Sequence, residues 1–278
     1  MKTISITIFL IVSLSTFGQE ELTFLKNWKS YPVPTDKDTI YKYNSAQNDW
    51  FVYLEEDEIR VDDVRNYRRN PRAKLPFQIR QLKNSDMINI AAPLAGLIDA
   101  IEVEDGYLVG FNRGEWGGEL YWFSKNGKKK YEISRHQIVQ FIKRDNKIYA
   151  IEGLGHLGIS EGSIIEIEKN GKKWIAKELL KLSAPNAVQL DNWDNFIIVT
   201  SGISLLSERN GAIIGIPSSF LLSIDRENKV DTLVNGSMWE FLYPSSMVIH
   251  KDVVYIGMRK GVYKFDLITK RNEWLLPE

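Results

Sequence analysis

The sequence predicts an all-β fold: a single β-propeller of five or six four-stranded antiparallel blades, behind a cleavable signal peptide. Three observations predict it. A strand–turn–strand–loop–strand motif recurs four times from residue 97 onward. The shortest unit is about 40 residues and holds several short strands, which is the period of a propeller blade. No helix-period segment of useful length interrupts the series.

The first copy sets Ile98-Asp99-Ala100-Ile101-Glu102-Val103 against Tyr107-Leu108-Val109-Gly110-Phe111 across the turn Glu104-Asp105-Gly106. An irregular loop, 112–118, then leads to Leu120-Tyr121-Trp122-Phe123. The order returns with Ile138-Val139-Gln140-Phe141, Ile148-Tyr149-Ala150-Ile151 and Ile164-Ile165-Glu166-Ile167. It returns again with Ala187-Val188-Gln189-Leu190, Phe196-Ile197-Ile198-Val199 and Phe220-Leu221-Leu222-Ser223-Ile224. The last copy holds Met247-Val248-Ile249, Val253-Val254-Tyr255-Ile256 and Val262-Tyr263-Lys264-Phe265. Asp105, Asp145, Asp194 and Asp252 stand at equivalent turn positions, and the spacing between them grows along the chain. A fourth, outer strand follows each copy: 129–133, 174–177, 230–233 and 273–276. Two of these follow Asn-Gly, a pair that tolerates the positive φ of tight hairpins. The second strands are nearly continuous apolar runs, as expected for strands buried on both faces. The outer strands alternate with Lys and Glu, as an exposed edge should.

Residues 1–18 differ in kind. Lys2 precedes an apolar run, 4–14, and small residues follow to Gly18, the pattern of a secretory signal peptide cleaved before Gln19. The run is too short to span a bilayer, so no transmembrane segment is expected in the mature chain. The organisation read from the sequence is therefore 1–18 signal peptide, 19–96 lead-in and irregular first blade, and 97–278 four regular blades of the same domain. Within 19–96, residues 49–61 read as a hairpin and 75–79 as a further strand. Arg65, Arg68, Arg69, Arg72 and Lys74 read as a solvated basic loop. The chain has no cysteine, which excludes disulfides, thiol chemistry, Cys-based zinc sites and a lipidated N-terminal Cys. An exported protein without disulfides fits a bacterial periplasm, cell envelope or secretion. Lys and Arg total 36 against 36 Asp and Glu, a balance that gives no reason to expect nucleic acid as a partner.

The repeated cores resemble the β-propeller superfamily in general, of the NHL, YVTN and sugar-lactonase-like kind, over residues 97–278. The resemblance is architectural. The Trp-Asp and Gly-His pairs of WD40 blades are absent from the matching positions, and a double glycine of kelch type occurs once, at Gly117-Gly118.

That architecture implies where a site would lie. Turns between first and second strands fall at one end; loops between second and third strands, with the inter-blade connections, fall at the other. The latter loops differ greatly in length, and uneven loops on one face of a repeat protein usually build its binding face. Arg113, Glu115, Trp116, Glu152, His156, Ser201 and Arg259 are the candidates there. Asp99, Gln137, Asn186 and Ser245 join Glu152 at the channel mouth. Each has a structural alternative: Trp116 can plug a gap between blades, Arg113 and Glu115 can pair with each other, and His156 in a glycine-rich loop can be structural. Asp191-Asn192-Trp193-Asp194-Asn195 offers several oxygens for calcium, but its place in the repeat makes it a turn held by its own Asp and Asn side chains.

Two functions follow. The first is an exported, non-catalytic module that presents a loop-rich face to a protein, peptide or glycan, with no cofactor. No Gly-x-Ser-x-Gly elbow, phosphate loop, dinucleotide fingerprint or His-Glu-x-x-His motif occurs. The second is the one the resemblance to sugar lactonases implies: a hydrolase with calcium or another divalent metal in the channel. Asp99, Glu152 and Asn186 match its ligand positions, while Ser245 or Ser246 stands where a further ligand belongs.

Overall fold

The structure is a computed structural model and describes residues 26–46, 48–67, 75–79, 94, 96–156, 159–201, 203–209, 212–217, 219–236 and 239–278. The segment 1–18 expected to be a signal peptide and most of the basic stretch 64–74 lie outside the described residues. The fold is all-β, built from several antiparallel sheets.

The N-terminal segment contributes β1 (Trp28–Tyr31), a short helix α1 (Lys37–Asn44), and the hairpin β2 (Trp50–Glu55) and β3 (Glu58–Asp63). Glu56 and Asp57 turn this hairpin with positive φ at both residues, the backbone of the tight turns that match strand twist. Asp36 caps α1 by accepting from Thr39 N at 2.8 Å. One turn of helix, α2 (Val64–Tyr67), follows β3. Residues 75–79 form no strand; Phe77 instead stacks on Phe123 at 5.5 Å between ring centroids.

Four repeat sheets follow. The first runs β4 (Leu97–Val103), β5 (Gly106–Asn112), β6 (Gly118–Ser124) and β7 (Lys130–Ser134). The second runs β8 (Ile138–Arg144), β9 (Lys147–His156), β10 (Ile159–Asn170) and β11 (Lys173–Leu182). The third opens with β12 (Pro185–Leu190) and β13 (Phe196–Thr200). Before it continues, the chain makes a separate hairpin of β14 (Ile203–Arg209) and β15 (Ala212–Pro217). It then returns as β16 (Ser219–Ile224) and β17 (Val230–Asn235). The fourth is β18 (Ser246–His250), β19 (Val253–Gly257), β20 (Val262–Asp266) and β21 (Asn272–Pro277). In each, the order along the chain is the order across the sheet. β21 is not an exposed edge, however: β1 pairs with it antiparallel, Trp28 opposite Pro277 and Tyr31 opposite Trp274, making this sheet five-stranded.

The core lies between successive sheets. Leu108, Leu120 and Ile138 pack with Ile165 and Ile167 between the first and second. Tyr149, Ile151 and Ile164 meet Val188, Phe196 and Ile198 between the second and third. Val199 and Phe220 meet Met247, Ile256 and Tyr263 between the third and fourth, with Ile40 of α1 inserted. Val52 and Ile59 of the N-terminal hairpin pack on Val248 and Tyr255 of the fourth. Gly257 lets β2 approach closely, since a Cβ there would lie 2.4 Å from Trp50 O. Strands β2, β4, β8, β12 and β18 together line one cavity of about 230 Å³.

Candidate binding face

The site is best built from the loop between β5 and β6. Gly114 (φ 63°) and Gly117 (φ 81°) adopt backbone that favours glycine, and between them Gly114–Trp116 makes a 3₁₀ turn. Its hydrogen bonds are numerous for so short a loop. Arg113 N donates to Gly117 O at 2.9 Å, and Gly114 N donates to Asn112 Oδ1 at 2.9 Å. Gln137 Nε2 donates to Asn112 Oδ1 at 2.9 Å and to Gly114 O at 2.6 Å. The Arg113 guanidinium donates from Nε to Trp116 O at 3.3 Å and forms an ion pair with Glu119. That pair is buried, its side chains 8% and 11% exposed. The sequence allowed Arg113 to pair with Glu115; the reversal of chain at the 3₁₀ turn brings it to Glu119 on β6 instead. Trp116 stands on this braced loop with 53% of its surface exposed.

The neighbouring loop is a hairpin rather than an irregular apolar loop. β9 and β10 stay paired to His156 opposite Ile159, and His156 Nε2 lies 3.1 Å from Glu115 Oε2. Glu115 and His156 thus join two sheets across the loop end. Below them, Glu152 accepts from Ser163 Oγ at 2.7 Å and from Gln137 N at 3.2 Å. Ser201 N donates to Ala184 O at 3.0 Å, and the Ser201 hydroxyl lies against Gly155 of the same hairpin. The β14–β15 hairpin packs beside β10. Arg259 belongs to a different device. Its guanidinium donates to Asp49 Oδ1 at 2.7 Å and to Asn44 O and Oδ1 at 2.9 and 2.8 Å, and it covers the Tyr243 ring at 4.1 Å. It fastens the N-terminal segment to the fourth sheet.

The channel candidates have structural partners. Asp99 Oδ2 accepts from Phe141 N at 2.7 Å, linking β4 to β8. Gln140 donates to Val188 O at 3.0 Å and accepts from Val188 N at 3.1 Å, linking β8 to β12 as a strand neighbour would. Asn186 donates to Pro244 O at 3.0 Å, and Gln189 to Met247 O at 3.3 Å, linking β12 to the fourth sheet. Ser246 Oγ accepts from Val52 N at 2.8 Å and Ser245 Oγ donates to Trp50 O at 3.0 Å, linking that sheet to β2. Inner strands of separate sheets cannot share a ladder, so side chains satisfy backbone groups that water reaches poorly. Asp99, Asn186 and Ser245 line the cavity. Glu152 and Gln137 lie under the loops instead.

At the opposite end, the turn aspartates tie neighbouring sheets together. Asp105 accepts from Trp122 Nε1 and Trp174 Nε1, both at 3.1 Å, and pairs with Lys169 at 2.9 Å. Burial pushes the Asp105 carboxyl up, but these three donors outweigh it and hold the group below the usual carboxylate range. Arg226 bridges Asp145 and Asp194, and Asn192 donates to Asp252 at 2.6 Å. Asp191 closes its own turn, accepting from the backbone N–H of Trp193 and Asn195, each at 2.9 Å. Trp193 stands at this end, 57% exposed.

Three participants were not singled out from the sequence: Glu119, Gln140 and Gln189. Gln140 and Gln189 carried a signal, since both are polar residues inside otherwise apolar first strands, five positions before the turn Asp.

No family model and no curated protein matches the chain. Among solved structures, the extracellular domain of a one-component system from B. thetaiotaomicron is similar at 10% identity and TM-score 0.40, covering 62% of this chain and 22% of that one. The tricorn protease is similar at 11% identity and TM-score 0.35, covering 82% and 26%. A Synechocystis apocarotenoid oxygenase variant is similar at 12% identity and TM-score 0.33, covering 62% and 46%. The chain thus spans less than half the length of each of these.

Proposed function

We propose that the chain is an exported five-bladed propeller, whose blades are the four repeat sheets and an irregular one from 19–96. Its work is recognition: it holds a protein, peptide or glycan at the loop end. Five inner strands around one cavity support the architecture, and the N-terminal pattern of 1–18 supports export. One observation carries the binding reading. Trp116 is half exposed, yet its loop is braced by a buried ion pair and by Gln137. A large apolar ring carried on a braced backbone loses less freedom on contact, which suits an affinity anchor. The metal-hydrolase alternative is less well supported, because Asp99 and Asn186 hold neighbouring strands while Glu152 holds Gln137 and Ser163.

The two exposed tryptophans at opposite ends provide the test. The mature protein is screened on glycan and peptide arrays beside Trp116→Ala and Trp193→Ala. Recognition should survive Trp193→Ala and fall about tenfold or more in Trp116→Ala, with both variants retaining the thermal midpoint. Equal binding by wild type and Trp116→Ala would refute the proposed face.

A further inference from the structure

We infer that the Trp116 platform takes a neutral sugar ring, so that the ligand of the proposed face is an uncharged glycan. This rests on the recognition reading above and narrows it. The first argument is space. The turn that presents Trp116 is flanked by glycines, and a Cβ on Gly114 would meet no atom within 4 Å, while one on Gly117 would meet only the Arg113 guanidinium, at 4.0 Å. The turn itself is therefore open, and Trp116 is 53% exposed, so a flat, broad partner can approach it. The C–H groups on one face of a pyranose carry slight positive charge and suit the electron-rich face of an indole.

Charge is the second argument. A free cation beside Trp116 would select an acidic ligand, but the described basic side chains of these two loops are committed. The Arg113 guanidinium is buried against Glu119, and His156 faces Glu115 at 3.1 Å. A loose carboxylate would select a basic peptide, and Glu115 is held by that imidazole. What the pair offers a ligand is hydrogen bonding. Glu115 and His156 are both about half exposed, and their remaining oxygen and nitrogen offer a donor–acceptor edge on the residue that precedes Trp116 and the hairpin it meets. Adjacent hydroxyls of a sugar ring, each both donor and acceptor, complement such an edge.

The test is calorimetric titration of the full mature protein with neutral hexaoses of glucose (β-1,4, β-1,3 and α-1,4), of xylose and of mannose, and with oligogalacturonate and oligoguluronate as acidic counterparts. At least one neutral series should bind, Trp116→Ala should weaken it about tenfold or more, and Trp116→Phe should restore part of the loss. Tighter binding of the acidic sugars, or no binding of any neutral one, would overturn the inference. If the arrays return a peptide or protein that needs Trp116, the sugar inference fails while the recognition face stands. If Trp116→Ala changes no interaction at all, both fall.

Discussion

Arg113 is the side chain on which the proposed face most depends, because it does two things at once. It neutralises Glu119 in a buried setting and holds the Trp116 carbonyl from below. Removing one partner of a buried pair leaves the other charge without compensation, a loss of about 3–5 kcal/mol. Arg113→Ala should therefore lower the urea midpoint strongly, and Arg113→Lys should fall between, since an ammonium cannot serve both acceptors with one planar fork. An unchanged midpoint for Arg113→Ala would contradict the brace. At the other end, Asp105 gives a pH signature. Its folded pKa lies below the unfolded value, so its stabilisation is complete above about pH 4 and is lost as pH falls through the folded pKa. Urea unfolding should place Asp105→Asn below wild type at pH 7, with the gap closing towards pH 3. A gap independent of pH would show that the Trp122, Trp174 and Lys169 contacts act through shape and not through charge. Neither pairing could be read from spacing: Glu119 is six residues from Arg113 and Glu115 only two, and a 3₁₀ turn between positive-φ glycines reverses the apparent preference.

The repeated strands were legible because period-two patterning, apolar second strands and tight-turn residues all agree at each copy. What the sequence missed has little local signal. β1 is four residues long, three of them exposed, and its partner β21 lies at the other end of the chain. α1 carries its N-cap Asp36 and a single buried residue, Ile40, too little apolar periodicity to stand out. Asp99, Asn186 and Ser245 do line the cavity, while Gln137 is displaced from it for a geometric reason. β8 has a register irregularity between Ile138 and Gln140. A one-residue slip exchanges the faces of a strand. Gln137 accordingly serves the Trp116 loop while Gln140 lies at the cavity. The β9–β10 extension was read as a loop because Gly153, Gly155 and Gly158 resemble a strand breaker. Gly153 is in fact where the pair passes Pro185, since a Cβ there would lie 2.6 Å from Pro185 O.

For the whole molecule, the N-terminal segment is an integral part and not a preface. β1 covers the edge of the fourth sheet, Ile40 fills the core between the third and fourth, Arg259 grips Asn44 and Asp49, and β2 lines the cavity. Ile40 is fully buried, so Ile40→Ala should cost about 2–5 kcal/mol. If the segment and the repeats unfold together, that loss shifts a single transition. A variant that melts in two steps, with the repeats unaffected, would separate the segment from the rest. The same connectivity explains how a protein without disulfides holds its sheets together: side-chain links pass from inner strand to inner strand, β4 to β8 to β12 to β18 to β2. Those links engage Asp99, and Asn186 is engaged likewise, two of the three groups that the metal-hydrolase reading would need as ligands.

Amide hydrogen exchange, with and without a saturating amount of the tightest array ligand, tests the proposed recognition at the loop end most directly. Protection should concentrate in 112–118 and 152–160, the Trp116 loop and the hairpin joined to it through Glu115 and His156. Protection in 98–101 and 186–189 instead, along the cavity strands, would contradict the account and return the channel as the site.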